Sequence, residues 1–132
     1  MYHNTAPLLT IFSAKGGTGT GLSHFMLDYD KIFLQLGTAS SCNATVKFQG
    51  SFSDTPPDFS GAQSVTNHWD YIDVIDLQNG ASIDGDTGVA MAGTDDFRNF
   101  EVNAGGLKWL CATITVRSAG TLTLKAIGIQ TN

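Results

Sequence analysis

Glutamate occurs once in the 132 residues, at Glu101, and seven basic residues stand against twelve acidic ones, so only 14% of the chain is charged. Little is left from which to assemble a reaction. There is no G-x-S-x-G nucleophile motif and no pair of basic residues, and His3, His24 and His68 are isolated, none at metal-ligand spacing. The reading is therefore a protein that is not an enzyme and carries no cofactor. The basic residues Lys15, Lys31, Lys47, Arg98, Lys108, Arg117 and Lys125 lie singly, whereas phosphate recognition needs them clustered. With a net charge of −5, nucleic acid is not expected as a partner. Cys42 and Cys111 fit no zinc or redox spacing and read as free thiols. The first residues lack the basic flank and apolar run of a secretory leader, and no window approaches the roughly 20 apolar residues of a membrane span. A soluble chain made in the cytoplasm is expected, with no membrane partner. Asn43-Ala-Thr45 then reads as a chance glycosylation triplet.

Helical periodicity is also missing; Leu22–Asp30 comes nearest and reads as one helical turn or a strand. What the chain does have is fifteen glycines and short alternating apolar runs at close intervals, the pattern of an all-β antiparallel sandwich or jelly roll. In Leu107–Arg117, Leu110, Ala112, Ile114 and Val116 fall on one face, opposite Trp109, Cys111, Thr113 and Thr115. Ser118-Ala-Gly120 supplies a turn, and Thr121–Gln130 alternates again, which predicts a terminal hairpin. Lys31–Leu36 and Ala44–Phe52 predict two more strands joined through Thr38–Asn43, and Phe97–Val102 another. Trp69–Leu77 is β-forming with carboxylates on both faces, as suits an edge or an interface. The Pro-Pro segment Ser53–Gln63 stops any sheet from running through it. We divide the chain into residues 1–12, an apolar N-terminal arm or edge strand, and residues 13–132, one β-sandwich domain.

Four places invite a functional reading. Asp84-Gly-Asp86-Thr-Gly88 begins like a calcium loop, but no glutamate closes it, and Asp-Gly and Asp-Thr-Gly are turn formers in their own right; the turn is preferred over calcium. Gly16–Gly21 lacks the Lys-Ser/Thr of a phosphate loop and reads as a flexible connection. Trp69, Tyr71 and Trp109 beside Lys108 could form a sugar-binding shelf, although large aromatics more often serve cores and subunit contacts. In the arm, Tyr2, Leu8, Leu9, Ile11 and Phe12 are candidates for contact with a neighbouring subunit.

The run from Ala62 to Gly128 resembles a recurrent small structural protein of tailed bacteriophages. Its marks are the W-x-Y-I-x-V-x-D-L strand at Trp69–Leu77, I-D-G-x-T-G at Ile83–Gly88, E-V-N-x-x-G-L-x-W at Glu101–Trp109, and S-A-G-T between the last two strands. Leu34–Ser51, with G-T-A-S-S followed by V-K-F-Q-G, fits the same type. The resemblance covers most of the chain, and β-hairpin grammar of this kind is moderately specific. It implies a β-sandwich virion component of the capsid decoration or cement type, on the outer capsid surface, whose partners are the major capsid protein and neighbouring copies of itself in a homo-oligomer. A tail, baseplate or fibre module with an aromatic sugar patch and a head-to-tail connector component are the alternatives. No catalytic residue carries over from it.

Overall fold

The computed structural model describes residues 7–103 and 105–130. Among them there is no helix, and the strands join in one antiparallel ten-stranded sheet. In chain order these are β1 (Leu8–Lys15), β2 (Gly19–Thr20), β3 (His24–Phe25), β4 (Lys31–Ser51), β5 (Asp70–Tyr71), β6 (Val74–Asp76), β7 (Ser82–Ile83), β8 (Val89–Gly93), β9 (Phe97–Val102) and β10 (Trp109–Ile129). The all-β, sandwich-like class expected from the alternating runs is what forms.

Two strands of 21 residues, β4 and β10, organise everything else. They run antiparallel along their whole length, from Trp109↔Ser51 to Ile129↔Lys31. This corrects the predicted terminal hairpin. Ser118-Ala-Gly120 does not reverse the chain; it is a kink inside β10, with Gly120 at φ 77°, and it lies against a second kink in β4, where Ser40 and Ser41 have φ 63° and 55°. Positive φ reads identically in a turn and in a bulge, so local sequence left the choice open. At the kinks the ribbon bends and the sheet folds over on itself. One half carries β1, β9, β6 and β7 on the outer strands; the other carries β2 and β3 beside β10, and β5 and β8 beside β4.

The core lies between the halves. Leu34, Leu36, Leu122 and Leu124 enter from one half and Val46, Phe48, Leu110 and Ile114 from the other, all within 1% of full burial. Beyond Ile114 the register slips, so that Val116 opposes Thr45, and Val116 turns outward to 61% exposure instead of continuing the core face. A single extra residue in one strand turns every later side chain of that strand to the opposite face.

Of residues 1–12, those from Leu8 on belong to the sheet. β1 is the sheet edge beside β10, with Leu8 opposite Ile127, and Ile11 and Phe12 are both 2% exposed within the main core. Trp69–Leu77 is likewise not one strand. It breaks at Ile72 and Asp73 into β5, on β4, and β6, between β9 and β7. The break admits the SIDGDTG loop, because a Cβ on Gly85 would stand 2.8 Å from the backbone of Ile72. Asp76, one of the carboxylates that suited an edge or an interface, faces inward and is buried. It caps the next turn by accepting from the N–H of Gln78 and pairs with Arg98.

Candidate functional site

In the half built on Trp109–Ile114 and Val46–Ser51, the outward face is not left to solvent. Cys111 opposes Gln49 in register, and both are buried, as are Ser51 and Thr113. The cover is the stretch between β4 and β5, residues 52–69, which Pro56 and Pro57 keep out of the sheet. Polar contacts pin it down. Trp109 Nε1 donates to the Ser53 carbonyl at 3.1 Å, Lys108 pairs with Asp54, and the Phe59 carbonyl accepts from Gln49 Nε2 at 3.0 Å and Thr20 Oγ1 at 3.1 Å. These place Phe59 and Trp69 over Cys111 as a second, smaller core. Each large side chain so buried is worth roughly 2–3 kcal/mol, enough to hold a strap with no strand of its own. Gln49 Oε1 and Trp69 Nε1 are buried here without a hydrogen bond among the described residues, and nothing in the fold accounts for it.

The aromatic residues chosen from the sequence meet in this cluster, together with others that the sequence did not single out. Trp69 and Tyr71 pack edge to face at 5.0 Å, Phe59 lies 6.2 Å from Trp69, and Phe25 packs edge-on to Trp109 at 5.1 Å. Lys47 Nζ sits 5.0 Å from the Tyr71 ring centroid. Trp69 is only 6% exposed, so the proposed sugar shelf lacks its central ring, and Tyr71 and Trp109 are half-buried. What the cluster does present is an open groove of 590 Å³ along its edge, walled by Phe52, Val65, His68 and Tyr71. Val65 is 91% and Phe52 58% exposed, so the groove has an apolar rim. Phe59 and the strap were missed because Ser53–Gln63 reads only as a linker. The available signal was that the second face of Leu107–Arg117 carries Trp109 and Cys111 and so needs cover.

Charge around the site is local. The Lys108 ammonium, by hydrogen bond and then by charge, holds the Asp54 carboxyl below its ordinary range, and the Ser60 hydroxyl does most of the same for Asp58. Burial pushes the Cys111 thiol up to about 11.

The remaining candidates disperse. Leu8 is 55% exposed on the edge strand and Leu9 packs partly against the core. Ile11 and Phe12 are spent on the domain's own interior, so they are not free to contact a neighbour; the alternation of β1 is broken by two bulges, which the sequence did not reveal. Tyr2 lies outside the described residues. SIDGDTG folds as a turn: Asp84 accepts from the N–H groups of Thr87 and Gly88 through its carbonyl and from Asp86 N–H through its carboxylate, while Asp73 accepts from Gly85 N–H. Gly88, at φ 74°, lets the loop pass within reach of the Val46 carbonyl. Among the described residues no three His, Cys, Asp or Glu side chains gather as a metal site would require.

No family model matches the sequence, and no curated protein matches it. The fold has a solved counterpart. The crystal structure of the SPBc2 prophage-derived protein YomS superposes with a TM-score of 0.66, over 96% of this chain and 94% of that one, at 12% sequence identity. At that identity the likeness is one of fold, so no side-chain role passes from one protein to the other.

Proposed function

We propose that the chain is a non-enzymatic structural protein of a tailed-bacteriophage virion, acting as a capsid decoration or cement protein on the outer surface of the coat lattice. The observation that carries this reading is the end-to-end fold likeness to a prophage-derived protein, which agrees with the resemblance drawn from the strand and turn motifs. Physical features support it. A cement protein must transmit load without deforming, and two 21-residue strands paired over their full length, with a core from both halves, make a stiff body. It must also present apolar surface to the coat while remaining soluble. The groove rimmed by Phe52 and Val65 is small enough for that, and much of its wall is the strap itself, tied to the sheet through the second core. The major capsid protein is the partner this reading assigns to the groove.

The test is co-sedimentation of the purified chain with coat shells that lack it, compared with Val65→Asp and Phe52→Asp. Wild type should saturate at a simple fraction of the coat subunits, and each variant should bind at least about tenfold more weakly while melting normally. Failure of wild type to sediment with shells would count against the reading. A tail module would instead show few copies per particle and a sugar-dependent affinity, and a connector a ring of small fixed number. The burial of Trp69 weighs against the sugar-binding version.

A further inference from the structure

The open margins of the sheet are not alike. β2, β3, β5 and β7 have two residues each, too short to template another strand. β1 is longer but is bent by two bulges, and its Thr10 and Ile11 carbonyls are taken by His24 Nε2 at 2.7 Å and the Leu22 N–H at 3.0 Å. β8, Val89–Gly93, has no such protection. It pairs with β4 alone, without a register shift, and carries no lysine or proline.

Which of its backbone groups face outward follows from the alternation of β4. Because β10 occupies one side of β4 throughout, β5 and β8 share the other. The Phe48 carbonyl accepts from the Ile72 N–H at 3.0 Å on that shared side, and the Ser51 carbonyl accepts from the Lys108 N–H at 3.1 Å on the β10 side. Even-numbered residues of β4 therefore turn toward β8. Val46, Ala44 and Cys42 form the bonded pairs with Val89, Met91 and Gly93, and Ala90 and Ala92 turn their N–H and carbonyl groups away. The Gly88 N–H, next in that outward series, is taken by the Asp84 carbonyl at 2.9 Å, which marks where the turn ends and the open edge begins. Two donors and two acceptors thus stand in line without a partner among the described residues. Val89 and Met91 are buried, whereas Ala90 and Ala92 are exposed and too small to screen the edge. Carboxylates bracket it. Exposed Asp84 and Asp86 come before the strand and exposed Asp95 and half-buried Asp96 after it, none in a salt bridge among the described residues. The bases close by are engaged elsewhere, Lys47 with the Tyr71 ring and Arg98 with Asp76.

We infer that the β8 edge receives an extended segment of the coat protein, small or apolar at its centre and with lysine or arginine at each end, which adds to the sheet as a further strand. Main-chain bonds to Ala90 and Ala92 hold it about 4.8 Å from β8, and its basic ends meet the two pairs of carboxylates. A second copy of this chain does not fit there, because two β8 edges paired in either direction bring carboxylates against carboxylates. β5, whose Tyr71 walls the groove, lies on the same side of β4, so the edge continues the surface proposed to meet the coat. The coat protein as occupant rests on the role proposed above; the strand chemistry rests on the edge alone.

Amide hydrogen exchange at Ala90 and Ala92 tests it on the full chain alone, with coat shells, and with a millimolar peptide of alternating threonine and valine that carries two lysines at each end, or two glutamates in their place. Both amides should exchange freely in the chain alone and be slowed at least about tenfold by shells and by the lysine peptide, with the effect lost at high salt and absent with the glutamate peptide. Ala92→Pro removes one outward N–H and no bond to β4, so it should fold yet bind shells at least about tenfold more weakly, while Ala92→Ser binds normally. Asp86→Lys/Asp95→Lys should lose shell binding to a similar degree and prefer the glutamate peptide. Shell binding that leaves both amides unprotected and persists in Ala92→Pro overturns the edge proposal while the cement role stands. Protection by the lysine peptide without any binding to shells keeps the edge as a strand acceptor and overturns the coat as its occupant. Amides already protected in the chain alone, or protected only as its own concentration rises, overturn the proposal as well.

Discussion

Gly120→Ala probes the corner on which the whole sheet turns. At φ 77° an alanine is in the left-handed region, which costs about 1–2 kcal/mol. Its Cβ would also stand 2.4 Å from Cys42 Cα and 2.7 Å from the Ala39 carbonyl and the Cys42 nitrogen, all backbone of the facing kink. Backbone cannot swing aside like a side-chain tip, so overpacking adds about 1–3 kcal/mol. The total, about 2–5 kcal/mol, is a large part of the roughly 5–15 kcal/mol that holds a domain folded. Gly80→Ala is the control. Its φ is 75°, nearly the same, but a Cβ there meets nothing within 4 Å. It should lose only the conformational part, reduced by the smaller entropy of its unfolded chain. Urea unfolding of both variants should therefore separate them by about 1–3 kcal/mol with unchanged m-values, and thermal midpoints by roughly 4 °C for each kcal/mol. If the two variants lose the same stability to within about 0.5 kcal/mol, the kinks are not packed against one another and the folded-ribbon account fails.

Trp69→Ala should cost about 3–5 kcal/mol by opening the second core, and Trp109→Phe about 0.5–1.5 kcal/mol by removing the bond to Ser53; limited proteolysis should cut first within 52–69 in both, and cleavage elsewhere would show that the strap is held by something else. The Asp76 carboxyl is held below its ordinary range, first by the Gln78 N–H and then, against the opposing effect of burial, by Arg98. A depressed native value means that its stabilisation is complete above the unfolded value near about 3.9 and is lost as pH falls through the native one. Asp76→Asn should accordingly be less stable than wild type at neutral pH, with the gap closing below about pH 4 in melts followed by circular dichroism; a gap that does not depend on pH would refute the charge account. Burial raises both thiols, Cys111 to about 11, so labelling by a thiol reagent should track unfolding in urea, and rapid labelling in native buffer would contradict the packing over Cys111.

Much of this architecture could be read directly from the residues. Phe97–Val102 forms the strand its pattern predicts, and the inward faces of Lys31–Leu36 and Thr121–Gln130 are those set by alternation. Alternation is a local signal, and it identified local structure. What it could not identify was pairing. Ser118-Ala-Gly120 and Thr38–Asn43 have the composition of hairpin turns, yet each strand continues through its kink because its partner is distant in the chain and bends at the same level. The facing of Val116 and the burial of Ile11 and Phe12 depend on bulges, which shift register without a compositional mark. The aromatic cluster was legible as residues but not as a place. Trp69, Tyr71 and Trp109 do come together, but Phe59, in a stretch that reads as linker, is what turns them into a small core instead of a shelf.

The role proposed for the chain is that of a structural component of a virion, present as a coat decoration. Quantitative mass spectrometry of purified particles, counting this chain against the major coat protein, tests it most directly. The account predicts a ratio of one or a simple lattice fraction of it. A handful of copies per particle would move the protein to the tail or connector, and its absence from particles would contradict the claim outright.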